Sequence, residues 1–204
     1  MSVNSRRSSV YYVATSFACN KMKNIYLSLG SNVGNRAENI ISALSFLKSS
    51  LFVNIKRVSS FYDTFPVGPK QRNFYNIVIK AQTNLGSSDL LLLIKQAELI
   101  LGRKKTIKWG ARVIDIDVLF FGKKIINTDS LIVPHREIEN RLFVLIPLNE
   151  IAGDFVHPVL ERKIADILLC SLKKMKKDSI DKACRRVACC KKMEVKNKKK
   201  IFSY

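Results

Sequence analysis

Acidic residues are scarce in this chain, whose 204 residues include 36 Lys and Arg against 16 Asp and Glu, a formal net charge of +20. Such an excess first suggests a nucleic-acid or membrane-surface partner. About half of the excess lies in residues 173–200, however, and the first 24 residues contain no acid at all. The long segment between them is much closer to balance, so the charge belongs largely to the two ends of the chain.

Cysteine is missing from the central part of the chain. One of the five cysteines is Cys19, and the other four are Cys170, Cys184, Cys189 and Cys190. No disulfide can therefore frame a central domain, and an odd number of thiols in a lysine-rich chain fits a reducing cytosol. A metal site built from the tail cysteines is the alternative, although their spacing matches no zinc signature. Long apolar runs are also missing, so we expect a cytoplasmic protein that does not enter a membrane.

Composition divides the chain into three segments. Residues 1–22 are basic and contain serine, which predicts a disordered leader or upstream extension, with a transit or signal segment as the alternative. Residues 23–172 have the apolar patterning of one globular domain. Residues 173–204 form a basic tail, for which we predict a frayed helix or a solvated segment. A lysine-rich genome explains this tail most simply, and a tether to RNA is the alternative.

Hydrophobic periodicity predicts the order β-α-β-β-α-β, the ferredoxin-like arrangement of an α+β fold. Alternating segments predict strands over residues 23–32, 53–64, 74–85 and 112–122, with one side of the second strand formed by Ile55, Arg57, Ser59 and Phe61. Apolar residues at helical spacing predict helices over 35–50, where Ile40, Ala43, Leu44 and Leu47 share a face, and 87–102, which a Ser and an Asp would cap. Two later helices, over 141–152 and 162–174, could cover the second face of the sheet.

Two acidic residues interrupt the last predicted strand, in the segment GARVIDIDVLFFG. Side chains at positions i and i+2 of a strand point to the same face, so Asp115 and Asp117 must stand side by side. Buried like charges are costly unless something neutralises them. The loop before them supplies five cations: Arg103, Lys104, Lys105, Lys108 and Arg112. The pattern therefore fits either a salt-bridge network or carboxylates that hold Mg²⁺ beside a polyphosphate.

Motifs that usually grip phosphate are absent from the sequence. It contains no GxxxxGK[ST] and no protein-kinase signature, and the glycines of LGSNVGN are wrongly spaced for a dinucleotide fingerprint. We expect LGSNVGN to form a strand-to-helix turn near the site, with Ser31 and Asn32 capping the helix.

Five segments together carry a family resemblance: YLSLGSNVGNRAENI, SSFYDTFPVGP, FYNIVI, KWGARVIDIDVLFFG and VPHREIENRLFVLIPLNEIA. In this order, over about residues 23–172, they resemble the 6-hydroxymethyl-7,8-dihydropterin pyrophosphokinases of folate biosynthesis. The pattern W-G-x-R-x-I-D-I-D followed by V-P-H is the specific part. Ala111 and Val113 depart from it, since they stand where proline and threonine are usual.

The resemblance implies a three-layer α-β-α sandwich on the ferredoxin-like core and an ATP-dependent diphosphotransferase. The terminal diphosphate of ATP, the co-substrate, would pass to the hydroxymethyl oxygen of 6-hydroxymethyl-7,8-dihydropterin, giving the pterin diphosphate and AMP. Asp115 and Asp117 resemble the ligands of two Mg²⁺ ions, and Arg103 and Arg112 resemble phosphate-clamping arginines. These four residues are therefore the predicted catalytic set.

The resemblance also implies two sets of binding residues. The ATP side would include Glu98, Arg103, Trp109, Arg112, His135, Arg136 and Arg141. The pterin side would include Thr64, Phe65, Val67, Phe74, Asn76, Asp115 and Phe143. Phe74 and Phe143 would stack on the ring, for which plain core packing is the alternative, and Trp109 is either a loop lid or a core anchor.

Two rival functions make different predictions. A ferredoxin-like RNA-binding module needs aromatic residues in an RNP1-like strand, which this chain lacks, and Asp115 and Asp117 would repel a phosphate backbone. A paralogue that only binds pterin is disfavoured because Asp115, Asp117, Arg103, Arg112 and His135 are all present. We therefore expect ATP and the pterin as partners of a monomer, without a nucleic acid, although the basic tail leaves that partner open.

Overall fold

A computed structural model describes residues 21–104, 107, 109–174 and 184–187 of the chain. The strands are β1 (Lys23–Ser31), β2 (Val53–Val58), β3 (Tyr62–Thr64), β4 (Phe74–Thr83), β5 (Asp115–Phe121), β6 (Ile126–Asn127), β7 (Ile132–Val133) and β8 (Cys184–Arg186). The α-helices are α1 (Arg36–Ser49), α2 (Ser87–Ile100), α3 (Leu142–Ala152) and α4 (Ile164–Lys173), and a short 3₁₀ helix spans Ile138–Asn140.

The main sheet confirms the ferredoxin-like prediction. Its strands run in the order β5-β1-β4-β3-β8, with β2 also paired to β4, and every pairing is antiparallel. β2 and β3 pair with successive parts of β4, so together they take the place of the single strand predicted over 53–64. β6 and β7 form a separate two-stranded sheet.

The predicted second strand is broken because two serines redirect its hydrogen bonds. The Ser59 hydroxyl accepts the Val78 N–H at 2.9 Å, in place of a strand carbonyl. The Ser60 N–H leaves the sheet and donates to the Glu150 carboxylate at 2.9 Å. An irregularity between Ile55 and Arg57 also turns Arg57 to the other face of the sheet, where its guanidinium donates to the Ile151 carbonyl at 2.9 Å. The expectation that Ile55 and Arg57 share a side is therefore wrong.

Two hydrophobic clusters lie on opposite faces of the sheet and give the predicted α-β-α layers. α1 and α2 pack on one face against alternate β1 residues, Ile25, Leu27 and Leu29. The predicted face of α1, formed by Ile40, Ala43, Leu44 and Leu47, is buried in this cluster. α3 and α4 pack on the other face, around Tyr26, Val78, Leu119 and Phe120. Period-two alternation along β1 and β4 supplies both clusters from the same segments.

The helix starts differ from the predicted caps. At α1, the side chain of Asn35 accepts the Glu38 N–H, so neither Ser31 nor Asn32 is the cap. At α2, the cap position is Gly86, which has no side chain to donate or accept, and the following Ser87 is already helical. Ser87 and Asp89 therefore lie in the first turn of α2 and do not cap the helix.

The C-terminal part of the chain is not simply solvated. α4 ends at Lys173, but residues 184–186 form β8 at the edge of the main sheet. The expectation of a solvated tail is thus wrong for these residues. Residues 175–183 and 188–204 lie outside the described residues, as do residues 1–20 of the predicted leader. Within the described part of the chain, every helix is too short or too polar to cross a membrane.

The second cluster should contribute strongly to stability. Leu148 on α3 is fully buried, so Leu148→Ala should lower the free energy of unfolding by about 3 kcal/mol in urea titration. Leu92 on α2 is 62% exposed and serves as the control, with an expected change within about 0.5 kcal/mol for Leu92→Ala. Equal effects of the two substitutions would contradict a core between the sheet and α3.

Candidate active site

A polar region interrupts the sheet face that carries α3 and α4. The β1 residues on this face are Tyr26, Ser28 and Gly30, so the side chains become smaller along the strand. On the neighbouring strand β4 this face changes from the buried Val78 to Asn76. Gly30 pairs with Asp115 on one side and with Asn76 on the other, which places these residues in one row across the sheet.

A cavity of about 280 Å³ lies over this polar region. Four strands, β1, β3, β4 and β5, contribute to it, and three loops together with the start of α3 complete it. The residues that line it are Ser28, Gly30, Thr64, Phe65, Pro66, Val67, Phe74, Asn76, Trp109, Gly110, Arg112, Asp115, Asp117, His135, Arg141 and Phe143. Aromatic faces and charged groups therefore border one space.

The two carboxylates of β5 have different partners. Both oxygens of Asp115 are paired, one with Arg103 at 2.8 Å and the other with Arg112. Glu98 on α2 forms an ion pair with Arg103, outside the cavity, and also accepts the Ile116 N–H at 2.8 Å. The salt-bridge interpretation is therefore correct for Asp115, whose charge two guanidinium groups compensate.

Asp117 lacks such compensation. No described Lys, Arg or His side chain forms an ion pair with it, although it borders the cavity. Burial raises the pKa of Asp117, and repulsion from Asp115 raises it further, against the attraction of His135 and Arg141. A cation in the cavity would relieve this penalty.

His135 borders the cavity as a neutral donor. Burial lowers its pKa, although the negative charge of Asp117 acts in the opposite direction. Its Nδ1 accepts the Glu137 N–H at 3.2 Å, so the proton of the neutral ring lies on Nε2. The Arg141 guanidinium, also at the cavity, lies 5.7 Å from the ring centre of Phe143.

A buried amide is fixed at the other end of the row. Asn76 is 4% exposed and donates from Nδ2 to the Thr64 hydroxyl at 2.6 Å. A Cβ at Gly30 would lie 2.5 Å from the Asn76 Oδ1, closer than real Cβ contacts allow. Glycine at position 30 thus leaves room for an oriented amide beside the phenyl ring of Phe74.

Two loops meet above the cavity through polar bonds. The buried Asn32 side chain accepts the Arg112 N–H at 2.7 Å and donates to Gln71 Oε1 at 2.9 Å. Gln71 in turn donates to the Trp109 carbonyl at 2.7 Å. Gly68 approaches Trp109 so closely that a Cβ would lie 2.9 Å from the tryptophan Cβ, and its φ of +104° also requires glycine.

Comparison with known proteins places the chain in a family. The sequence profile described as 7,8-dihydro-6-hydroxymethylpterin-pyrophosphokinase (HPPK) matches residues 26–153, more than half of the chain. The chain belongs to this pyrophosphokinase family.

Individual relatives agree with this assignment. The chain is 41% identical over 146 residues to the 2-amino-4-hydroxy-6-hydroxymethyldihydropteridine pyrophosphokinase of Aquifex aeolicus, a match that covers 71% of this chain and 90% of that protein. It is 45% identical over 142 residues to the folic acid synthesis protein fol1 of Pneumocystis carinii, which covers 69% of this chain but 19% of that longer protein. The chain thus spans a minor part of some relatives and nearly all of others.

A solved structure shares the fold. The crystal structure of wild-type Plasmodium falciparum HPPK-DHPS with pterin and p-hydroxybenzoate matches with a TM-score of 0.64 at 18% identity. The match covers 82% of this chain and 45% of that one. At this identity the likeness supports the fold alone.

The structure brings most of the predicted pyrophosphokinase residues to one cavity. The predicted residues at the cavity are Thr64, Phe65, Val67, Phe74, Asn76, Trp109, Arg112, Asp115, Asp117, His135, Arg141 and Phe143. Glu98, Arg103 and Arg136 do not line it, and Lys105 and Lys108 lie outside the described residues. Glu98 and Arg103 instead support Asp115 from behind, and Arg136 is exposed. The roles predicted for all these residues in binding stay predictions.

Sequence reasoning missed four lining residues: Ser28, Gly30, Pro66 and Gly110. The signal for Ser28 and Gly30 was present, because side chains become smaller along one face of β1 after Tyr26. Only the register of β1 against β4 and β5 shows what this decrease in size makes room for.

The pKa of Asp117 predicts a pH-dependent stability effect. Because the folded-state pKa lies above the unfolded value, the ionised carboxylate destabilises the metal-free fold at neutral pH. Asp117→Asn should therefore raise Tm in the presence of a chelator at neutral pH.

The difference in Tm between Asp117→Asn and wild type should shrink as pH falls through the pKa of Asp117 in the folded state. It should vanish below the pKa of an aspartate in the unfolded chain, about 3.9. Calorimetry across this pH range measures both trends. A variant that is less stable than wild type at neutral pH would contradict an uncompensated charge at Asp117.

Proposed function

We propose that the chain transfers diphosphate from ATP to the hydroxymethyl group of 6-hydroxymethyl-7,8-dihydropterin, giving the pterin diphosphate and AMP in folate biosynthesis. Family membership supports the reaction, and the geometry of the cavity supports where it takes place. The observation that carries the proposal is Asp117, an uncompensated carboxylate beside Asp115 in a cavity that also has aromatic and cationic walls.

The pterin would occupy the side of the cavity formed by Phe74, Phe143 and Asn76. A flat heteroaromatic ring gains from stacking on phenyl faces, and its polar edge needs fixed in-plane partners. The Asn76 amide already has one bond to Thr64, which orients it before any ligand binds. This preorganisation lowers the entropic cost of binding.

ATP would place its phosphates on the charged side. Arg112 and Arg141 border the cavity and can donate bidentate hydrogen bonds to phosphate oxygens. The Nε2–H of His135 is a further donor, because the Nδ1 of this ring already accepts the Glu137 N–H. Arg103 lies behind Asp115 and would keep that carboxylate in position.

The carboxylate pair fits Mg²⁺, and we propose that Asp115 and Asp117 hold two such ions together with the phosphates. Mg²⁺ takes oxygen ligands and often uses only one or two protein carboxylates. Asp117 has no ion-pair partner among the residues described, so it could take a metal ion without breaking an ion pair, whereas Asp115 would share its carboxylate between the metal and its two arginines. When bound, the metal would neutralise phosphate charge and make the β-phosphorus more electrophilic.

The proposed reaction is a direct displacement at phosphorus. The pterin hydroxyl oxygen forms a bond to the β-phosphorus of ATP while the bond between that phosphorus and the α,β-bridging oxygen breaks. AMP leaves with the bridging oxygen, and the hydroxyl proton passes to solvent or a nearby base. Such chemistry depends mainly on positioning and charge neutralisation, which these residues provide without a covalent intermediate.

We also propose a cytoplasmic monomer. The thiols of Cys170 and Cys184, the two cysteines in the described residues, are free, in agreement with a reducing compartment. The cavity is complete within one chain, so no second copy is needed to build it.

The central test is the release of AMP from ATP. Purified protein should form AMP only when ATP, the hydroxymethyl pterin and Mg²⁺ are all present. Asp117→Asn should lower kcat about 100-fold or more, since a bound metal contributes several kcal/mol to such transition states. Asp129→Asn, which changes an exposed acid away from the cavity, is the matched control and should keep wild-type activity.

Two outcomes would contradict the proposal. Full activity of Asp117→Asn would exclude the metal assignment. Pterin binding by wild type without any AMP would leave a protein that only binds pterin.

Gly30→Ala should affect pterin more than ATP. The new Cβ displaces the Asn76 amide, so KM for pterin should rise about tenfold while KM for ATP changes little. Gly86→Ala is the control, because its Cβ would meet only the flexible end of Asp89 at 3.2 Å, outside the cavity. Steady-state kinetics with each substrate varied in turn measures the split, and parallel increases in both KM values would refute the role given to Asn76.

A further inference from the structure

A strand from the C-terminal part of the chain completes the sheet beside the cavity. β8 lies outside residues 26–153, the part that matches the family profile. It pairs antiparallel with β3, so that Thr64 is opposite Cys184 and Tyr62 is opposite Arg186. The Val187 N–H extends this pairing by donating to the Phe61 carbonyl at 2.9 Å. Without β8, the three-residue strand β3 would be an exposed edge held by β4 alone.

The Arg186 side chain connects β8 to the residue range before β3 and to helix α3. The Arg186 Nε donates to the Ser60 hydroxyl at 2.9 Å, and its Nη2 lies 3.3 Å from the Glu150 carboxylate. The same carboxylate accepts the Ser60 N–H and the Tyr62 hydroxyl, each at 2.9 Å. Arg186 therefore joins a network that links β8, the start of β3 and the C-terminal end of α3.

This network connects two walls of the cavity. β3 ends at Thr64, which is 1% exposed, lines the cavity and accepts the Asn76 amide. The chain then continues into the loop that carries Phe65 and Val67 along the cavity. α3 holds Glu150 at one end and Phe143 at the cavity two turns earlier. A displacement of β3 against α3 would therefore change the shape of the proposed pterin side.

Packing of β8 agrees with a fixed position. Val187 packs against the first hydrophobic cluster. Burial raises the pKa of the Cys184 thiol to about 12, with a further contribution from the nearby charge of Asp63. The residues at the two ends of this segment, Cys184 and Val187, are thus partly buried against the protein.

We propose that β8 positions the pterin-binding edge of this enzyme, with Arg186 as its positioning residue. The C-terminal segment supplies an edge strand that holds β3, and through it Thr64 and the following loop, at the distance from α3 that the pterin requires. This inference rests on the proposed function for its effect on catalysis, but the effect on β3 itself can be measured without any substrate.

The first experiment compares Arg186→Met with Arg185→Met in the full chain. The neighbouring Arg185 makes no side-chain hydrogen bond or ion pair with any residue that the structure describes, so the control removes the same charge from the same strand. Arg186→Met should raise KM for pterin at least about threefold while kcat and KM for ATP stay near wild type. Hydrogen exchange should increase in peptides covering residues 60–67, without a change in β5 or α1.

The second experiment removes a backbone bond. Val187→Pro deletes the N–H that donates to Phe61, and the extended backbone that proline favours at the preceding residue is the one Arg186 already has. Val187→Ala keeps the N–H and is the matched control. The proline variant should reproduce the exchange increase and the pterin KM shift, and the alanine variant should show less of both.

Several results would overturn the proposal. If Arg186→Met has the hydrogen exchange and kinetics of wild type, β8 does not hold β3. The same conclusion follows if Arg185→Met changes exchange and KM as much as Arg186→Met does. Parallel rises in both KM values would show general loosening instead of positioning. If wild type forms no AMP at all, the proposed function fails, whereas the exchange measurements still decide whether β8 fixes β3.

Discussion

The site depends on a difference between two neighbouring carboxylates, of which one forms ion pairs with arginines and the other does not. Strand geometry forces Asp115 and Asp117 onto one face, and that face lacks helix cover at this end of the sheet. Arg103 and Arg112 compensate Asp115, and Glu98 keeps Arg103 in place. Asp117 keeps a charge that the described protein groups do not pair. Asp115 is therefore held by ion pairs, whereas Asp117 has none among the described residues. We propose that this difference lets Asp117 bind a small hard cation together with its phosphate.

Local patterns predicted the elements of the fold well because burial follows the period of each element. The apolar face of α1 and the alternation of β1 both end in the cores where their periodicity placed them. The departures arise where a polar side chain replaces the backbone as hydrogen-bond partner. Ser59 accepts a strand N–H and Ser60 donates to Glu150, which divides the second strand. A bond between residues 90 positions apart leaves no local signal in the sequence.

The site was predictable in kind and less so in detail. Motif resemblance identified the residues at the cavity, but it did not separate those that face the space from those that stand behind it. Glu98 was expected to contact ATP, whereas its carboxylate is occupied by Lys95, Arg103 and the Ile116 N–H. Gly30 was expected only to end the first strand at a turn near the site, yet it also makes room for Asn76. Such distinctions depend on strand register, which composition and spacing do not specify.

The Asn32 amide has a consequence for motion. It bonds the backbone of Arg112 on one side and Gln71 and the Arg72 carbonyl on the other, and it is buried beneath both segments. Neither loop can swing away from the cavity mouth without breaking bonds to this single side chain or carrying the other loop with it. The two segments at the cavity mouth are therefore coupled in their motion through one buried amide.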